Sequence, residues 1–237
     1  DRNDPFKEMS SSLKIKEFAN RRDALDETVQ AICRELQLAV SRRGSASFGV
    51  CGGQTAAQVF PMLSEASLDW NSVTVVLVDD RWVANDSSES NEALVRDVLL
   101  RGPAAGAKLI PLKTNHSSAK EALPTIERQM EQVGTALDAL FISMGEDGHI
   151  ASLFPGGAEN LERKKLVVAT TAVIPPTERI SLSPKALSQA QHCVMPIFGE
   201  VKRKVFERAL RASSPMEFPI GHLIHNDRCV CEIFLAP

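Results

Sequence analysis

Apolar residues recur along the chain with two periods that alternate. Leu25, Val29, Ile32, Leu36 and Val40 follow at steps of four, three, four and four, which places them on one face of a helix. Asp23 is the expected N-cap of this helix, and Asp26 and Glu27 fall in its first turn. Arg42 and Arg43 precede Gly44 at the far end, so caps and charges agree with the helix dipole. Residues 45–50 read as a short strand, and a second helix is expected over 55–65 after Gly52-Gly53. Residues 73–78, Val-Thr-Val-Val-Leu-Val, form a nearly unbroken β-branched run, the pattern of a strand covered on both faces. Helices are expected over 91–100 and 119–133, where Pro124 either kinks the second or marks its first turn. Strands at 137–144, 166–170, 180–182, 193–198 and 228–234, and a helix at 200–210, complete the series.

Strands alternating with helices predict one α/β domain over residues 9–237, built on a mostly parallel sheet flanked by helices. Residues 161–184 are less regular and are expected to hold a small inserted strand pair. Residues 1–8 show no charged and apolar leader pattern and are expected to be a cloning remnant or a disordered tail.

Composition narrows the partners. Lys plus Arg number 27 against 30 Asp plus Glu, a net charge of −3, so a nucleic acid is not an expected partner. No apolar run approaches the ~18 residues needed to span a bilayer, and no membrane association is expected. The five cysteines (Cys33, Cys51, Cys193, Cys229, Cys231) are odd in number and irregular in spacing, which argues for free thiols in a reducing, cytoplasmic setting. Cys229 and Cys231 share one face of a strand and read as core, because no second cysteine pair stands at zinc spacing. His222 and His225 lack a third ligand at suitable spacing, and His116 and His192 read as structural. Neither a metal nor a cofactor is expected, and the chain is expected to be a monomer or a homodimer.

The polar motifs carry positional information. Gly52-Gly53-Gln54-Thr55, Asp79-Asp80-Arg81-Trp82, Gly145-Glu146-Asp147-Gly148-His149 and Gly199-Glu200-Val201-Lys202 each follow an apolar run directly. In an open parallel sheet such turns collect at the carboxyl edge, where ligands bind. Gly52 to Thr55 suits a phosphate at a helix N-terminus, or is a tight turn with Thr55 as cap. Arg81 offers forked donors to an anion, or pairs with Asp79 or Asp80 and braces its loop. Arg179 and Lys202 pose the same choice, and Lys202 is alternatively part of a solvated helix face. His149 accepts a proton near neutrality, with Asp147 or Glu146 to orient it, or is a hydrogen-bonded loop residue.

Together these residues resemble the 6-phosphogluconolactonase family. Those that carry the resemblance are Gly-Gly-x-Thr at Gly52, Asp-x-Arg-Trp-Val at Asp79 with Ser90-Asn91 downstream, and the long Met144 to Pro155 run, Met-Gly-Glu-Asp-Gly-His-x-Ala-Ser-Leu-Phe-Pro. Arg179-Ile-Ser-Leu and Gly199-Glu-x-Lys202 follow in the family's order. The resemblance implies a Rossmann-like fold, shared with glucosamine-6-phosphate isomerase/deaminase. It also implies hydrolysis of 6-phospho-D-glucono-1,5-lactone in the oxidative pentose phosphate pathway, with a phosphorylated sugar lactone as the partner. His149 is then the general base, assisted by Asp147. Gly52, Gly53, Gln54, Thr55, Asp79, Arg81, Arg179 and Lys202 bind substrate. The chain departs from the family's Gly-Gly-Ser-Thr-Pro at Gln54 and Ala56, and from Asp-Glu-Arg at Asp80. The deaminase resembles Phe-Asn-Glu-Pro where this chain has Ser152-Leu153-Phe154-Pro155, and it carries a Tyr, which this chain lacks altogether. The alternatives are therefore the isomerase/deaminase and a non-catalytic sugar-phosphate-binding module.

Overall fold

The computed structural model describes residues 12–134 and 136–237, so the expectation for residues 1–8 lies outside the described residues. In chain order the strands are β1 (Leu13–Glu17), β2 (Ala46–Val50), β3 (Val73–Leu77), β4 (Asp79–Arg81), β5 (Lys108–Ile110), β6 (Ala139–Phe141), β7 (Val167–Thr171), β8 (Glu178–Leu182), β9 (His192–Phe198) and β10 (Val230–Ala236). The helices are α1 (Arg21–Arg43), α2 (Gln54–Ser64), α3 (Asn91–Leu94), α4 (Ala119–Val133), α5 (Pro184–Ser188), α6 (Glu200–Arg211) and α7 (Gly221–Ile224).

Seven strands form one sheet in the order β1-β10-β9-β6-β2-β3-β5, and every neighbouring pair is parallel. From β2 the chain crosses to β3 on one side, and from β6 it continues to β9 on the other. The β2–β6 gap is therefore the topological switch point, where the turns leaving the two strands diverge and open a crevice. The inner strands are mainly apolar, as their covering by helices on both faces requires. Phe48, Val50, Val75, Val76, Leu77, Leu140, Phe141, Val194 and Met195 are fully buried.

The inserted strand pair is in fact a three-stranded antiparallel sheet, β4-β8-β7. Its third member is Asp79–Arg81, which the sequence presents as a loop. Val78 makes the change of sheet. Its N–H donates to Val50 O at 3.0 Å in the large sheet, and its carbonyl accepts Leu182 N at 2.7 Å in the small one. Asp79 then lies opposite Ser181, and Arg81 opposite Arg179.

Three local expectations need correction. The N-cap of α1 is Asn20, whose side chain accepts Asp23 N at 3.0 Å, and Asp23 sits within the first turn. Gly53 caps α2 and Thr55 lies inside it, buried. The helix expected over 91–100 is a single α-turn, α3, which widens into a π-turn over Val95–Leu99. Pro124 lies inside α4, because the helix starts at Ala119 with Ser118 accepting Glu121 N.

Candidate active site

The carboxyl edge of the large sheet holds a cleft of about 410 Å³ at the switch point. Four turns build it. After β2, Gly53 takes φ +94°, a conformation open to glycine, and starts α2 without a side-chain cap. After β9, Gly199 does the same for α6 at φ +84°. Both helices thus begin beside the cleft with no side-chain cap on their first N–H groups, which suits an anion. β3 delivers Asp79 and Arg81 through the sheet change at Val78, and the turn after β6 delivers His149.

His149 is set by its own loop. Gly145 N donates to His149 O at 2.9 Å, and Gly148 N to Gly145 O at 3.1 Å. A Cβ on Gly145 would overlap the imidazole, so only glycine leaves the ring its place. Asp147 Oδ1 lies 2.6 Å from His149 Nδ1 and also accepts His149 N at 3.1 Å. The Phe154 ring stands 5.1 Å from the imidazole, centroid to centroid. A carboxylate on Nδ1 selects the tautomer with its proton there and leaves the Nε2 lone pair free. Partial burial raises the Asp147 pKa, but the His149 hydrogen bond and charge and the backbone donors outweigh it, and the net shift is downward. Glu146 lines the cleft without a hydrogen bond to the ring.

Asp79 and Asp80 divide the work of their strand. Asp80 is fully buried and accepts Arg81 N at 2.8 Å, Asn91 N at 2.7 Å and Glu92 N at 3.1 Å, so it ties β4 to α3. Burial pushes its pKa up to about 6 against these donors. Asp79 faces the cleft. Ser152 Oγ donates to its Oδ2 at 2.8 Å, and Asn91 Nδ2 to its carbonyl at 3.0 Å. Its pKa is raised by burial, while Ser152, Arg81, Arg179 and His149 each pull it down.

The cations are partly unsatisfied. Arg81 and Arg179 stand side by side on β4 and β8, an arrangement that repels unless an anion joins them. Arg81 reaches Glu89, with Nη1 2.6 Å from the Glu89 carbonyl, rather than Asp79 or Asp80. Arg179 is nearly buried and gives Nε to Pro176 O at 2.7 Å. Burial and the Arg81 charge both lower its pKa. On α6, Arg203 pairs with Glu17 and Glu207, and Lys204 with Glu200. Lys202, between Val201 and Arg203, lines the cleft without an ion pair among the described residues.

Of the residues expected from sequence, Gly52, Gly53, Gln54, Thr55, Asp79, Arg81, His149, Arg179 and Lys202 line this one cleft, and Asp147 stands behind His149. Sequence reasoning missed Arg21, Ser143 and Phe198, which also line it. Cys51 lies on its floor, but burial pushes the thiol up to about 12, so it is no thiolate nucleophile. Among the described residues no group of three or more His, Cys, Asp or Glu is arranged to hold a metal, and no helix is long and apolar enough to cross a membrane.

A mostly parallel sheet with a cation-rich cleft at its switch point describes a class of small-molecule α/β proteins. The comparisons narrow this. The chain belongs to the glucosamine-6-phosphate isomerases/6-phosphogluconolactonase family, which matches residues 19–231. It is 32% identical to a 6-phosphogluconolactonase of Rhizobium meliloti, over 97% of this chain and 100% of the relative. Another 6-phosphogluconolactonase, from Neisseria meningitidis, is 31% identical over 93% of this chain and 97% of its own. Among solved structures, a 6-phosphogluconolactonase from Shewanella baltica superposes with a TM-score of 0.91 at 32% identity, covering 97% of this chain and 100% of that one. A monomeric glucosamine-6-phosphate deaminase shares the fold, with a TM-score of 0.78 at 15% identity.

Proposed function

We propose that this protein hydrolyses 6-phospho-D-glucono-1,5-lactone to 6-phospho-D-gluconate. The observation that carries the reading is His149, backed by Asp147 and set in a cleft lined by Arg21, Arg81, Arg179 and Lys202. The names of the relatives support the same substrate. A lactone is a cyclic ester, so its hydrolysis needs an activated water, a stabilised oxyanion and a proton for the leaving ring oxygen. His149 Nε2 takes the proton from water as the oxygen attacks the lactone carbonyl carbon. Asp147 stabilises the imidazolium that results. When the tetrahedral intermediate collapses, the same proton goes to the ring oxygen and the ring opens to a carboxylic acid, which releases its remaining proton to solvent and becomes the carboxylate. The phosphate is held by the first N–H groups of α2 around Gly53, Gln54 and Thr55, with Arg81, Arg179 and Lys202.

The turn after His149 separates this activity from deamination. Ser152 and Leu153 are buried, with the Ser152 hydroxyl donated to Asp79, so the turn brings no carboxylate to assist sugar-ring opening. The test is to follow lactone disappearance against its spontaneous hydrolysis and, in parallel, ammonia release from glucosamine 6-phosphate. Lactone loss well above background without ammonia is expected. Ammonia release, or no acceleration over background, would overturn the reading.

A further inference from the structure

Arg21 belongs to none of the sequence motifs, yet it lines the cleft. It is the first residue of α1, where the helix dipole favours anions and a cation is out of place. No side-chain carboxylate among the described residues pairs with it. Asp23 is bonded to Asn20, Glu17 is paired with Arg203, and Glu200 with Lys204.

Its position is nevertheless fixed. Nε donates to Pro237 O at 2.6 Å, and the guanidinium lies 5.5 Å from the Phe198 ring centroid. Nη2 reaches over the start of α6, where a Cβ on Gly199 would come within 3.7 Å of it. These contacts use Nε and one face of the group. The two terminal nitrogens keep their donors, with no acceptor among the described residues. A clamp on Pro237 needs only Nε, so the free fork is surplus to a structural role. Lys202, in the first turn of α6, is the adjacent unpaired cation of the same cleft. A phosphate dianion presents three strong acceptor oxygens, which the forked Arg21 donors and the Lys202 ammonium match.

We propose that Arg21 is a substrate-binding residue that contacts the phosphate from the α6 side of the cleft, held ready by Phe198 and Pro237. The identity of the phosphorylated substrate rests on the lactonase reading; the anion contact does not. Arg21→Ala and Arg21→Lys test it by two readouts. With 6-phosphogluconolactone, Arg21→Ala is expected to raise KM about 10-fold with kcat within about twofold of wild type, and Arg21→Lys to recover part of the loss. In a calorimetric titration with inorganic phosphate alone, the binding midpoint is expected to shift upward about 10-fold in Arg21→Ala. An unchanged phosphate midpoint, even with a lower melting temperature, would reduce Arg21 to a clamp and overturn the proposal. A shifted phosphate midpoint in a protein that does not hydrolyse the lactone would sustain the Arg21 contact and remove the lactonase reading instead.

Discussion

The two edges of the parallel sheet carry cavities of equal size, about 410 Å³ each, with opposite treatment of charge. At the amino edge the buried charge is answered, and Lys108, the cavity cation without an ion pair among the described residues, is exposed. Arg43 pairs with Asp138 at 2.5 Å, and the other Asp138 oxygen accepts Ser47 N at 2.8 Å and Ser47 Oγ at 3.1 Å. Nearby, His192 stands between Glu35 at 3.7 Å and Glu232 at 3.3 Å, with Arg34 on both acids. At the carboxyl edge Arg81 and Arg179 face each other across a strand pair with only the exposed Glu89 beside Arg81, and Arg21 and Lys202 have no side-chain carboxylate partner among the described residues. Volume alone therefore does not mark a site. Polar groups held in place but left unanswered do, because such an arrangement costs stability unless a ligand completes it.

Substitutions at each edge put this contrast at risk. The largest effect is expected from Gly145→Ala, which adds only a methyl group but adds it where the His149 ring lies. Displacing the base should lower kcat by about 100-fold with little change in melting temperature. A normal kcat would mean that the ring has room to move and that its placement does not depend on Gly145. A smaller effect, of another kind, is expected from Asp138→Ala. Removing the acceptor of Ser47 N and the partner of half-exposed Arg43 should cost about 2 kcal/mol, or roughly 5 °C in melting temperature. kcat/KM should stay at the wild-type value. A loss of activity in the folded variant would erase the distinction between the edges.

The sequence reveals these regions unequally. The inner strands and α1 are legible because burial on both faces, or on one stripe, leaves a continuous or periodic apolar record. β1 leaves little record, since Leu13 and Ile15 are its only apolar residues and lysines alternate with them. β4 is polar in all three residues and is a strand only because β8 lies beside it. In the cleft, the His149 loop is legible because its chemistry is local. Asp147, Gly145 and the ring lie within five residues of sequence. Arg21, Phe198 and Pro237 leave no such signal, because only the neighbouring positions of β1, β10 and β9 in the sheet bring them together. The one local hint is a cation at the electropositive start of a helix.

His149 is the proposed activator of water at the carboxyl edge. The most direct measurement is kcat for lactone hydrolysis at saturating substrate, in wild type and His149→Ala side by side, each corrected for spontaneous opening. A fall of roughly 100-fold or more is expected, with substrate still bound. A variant that keeps a near-normal kcat would contradict it.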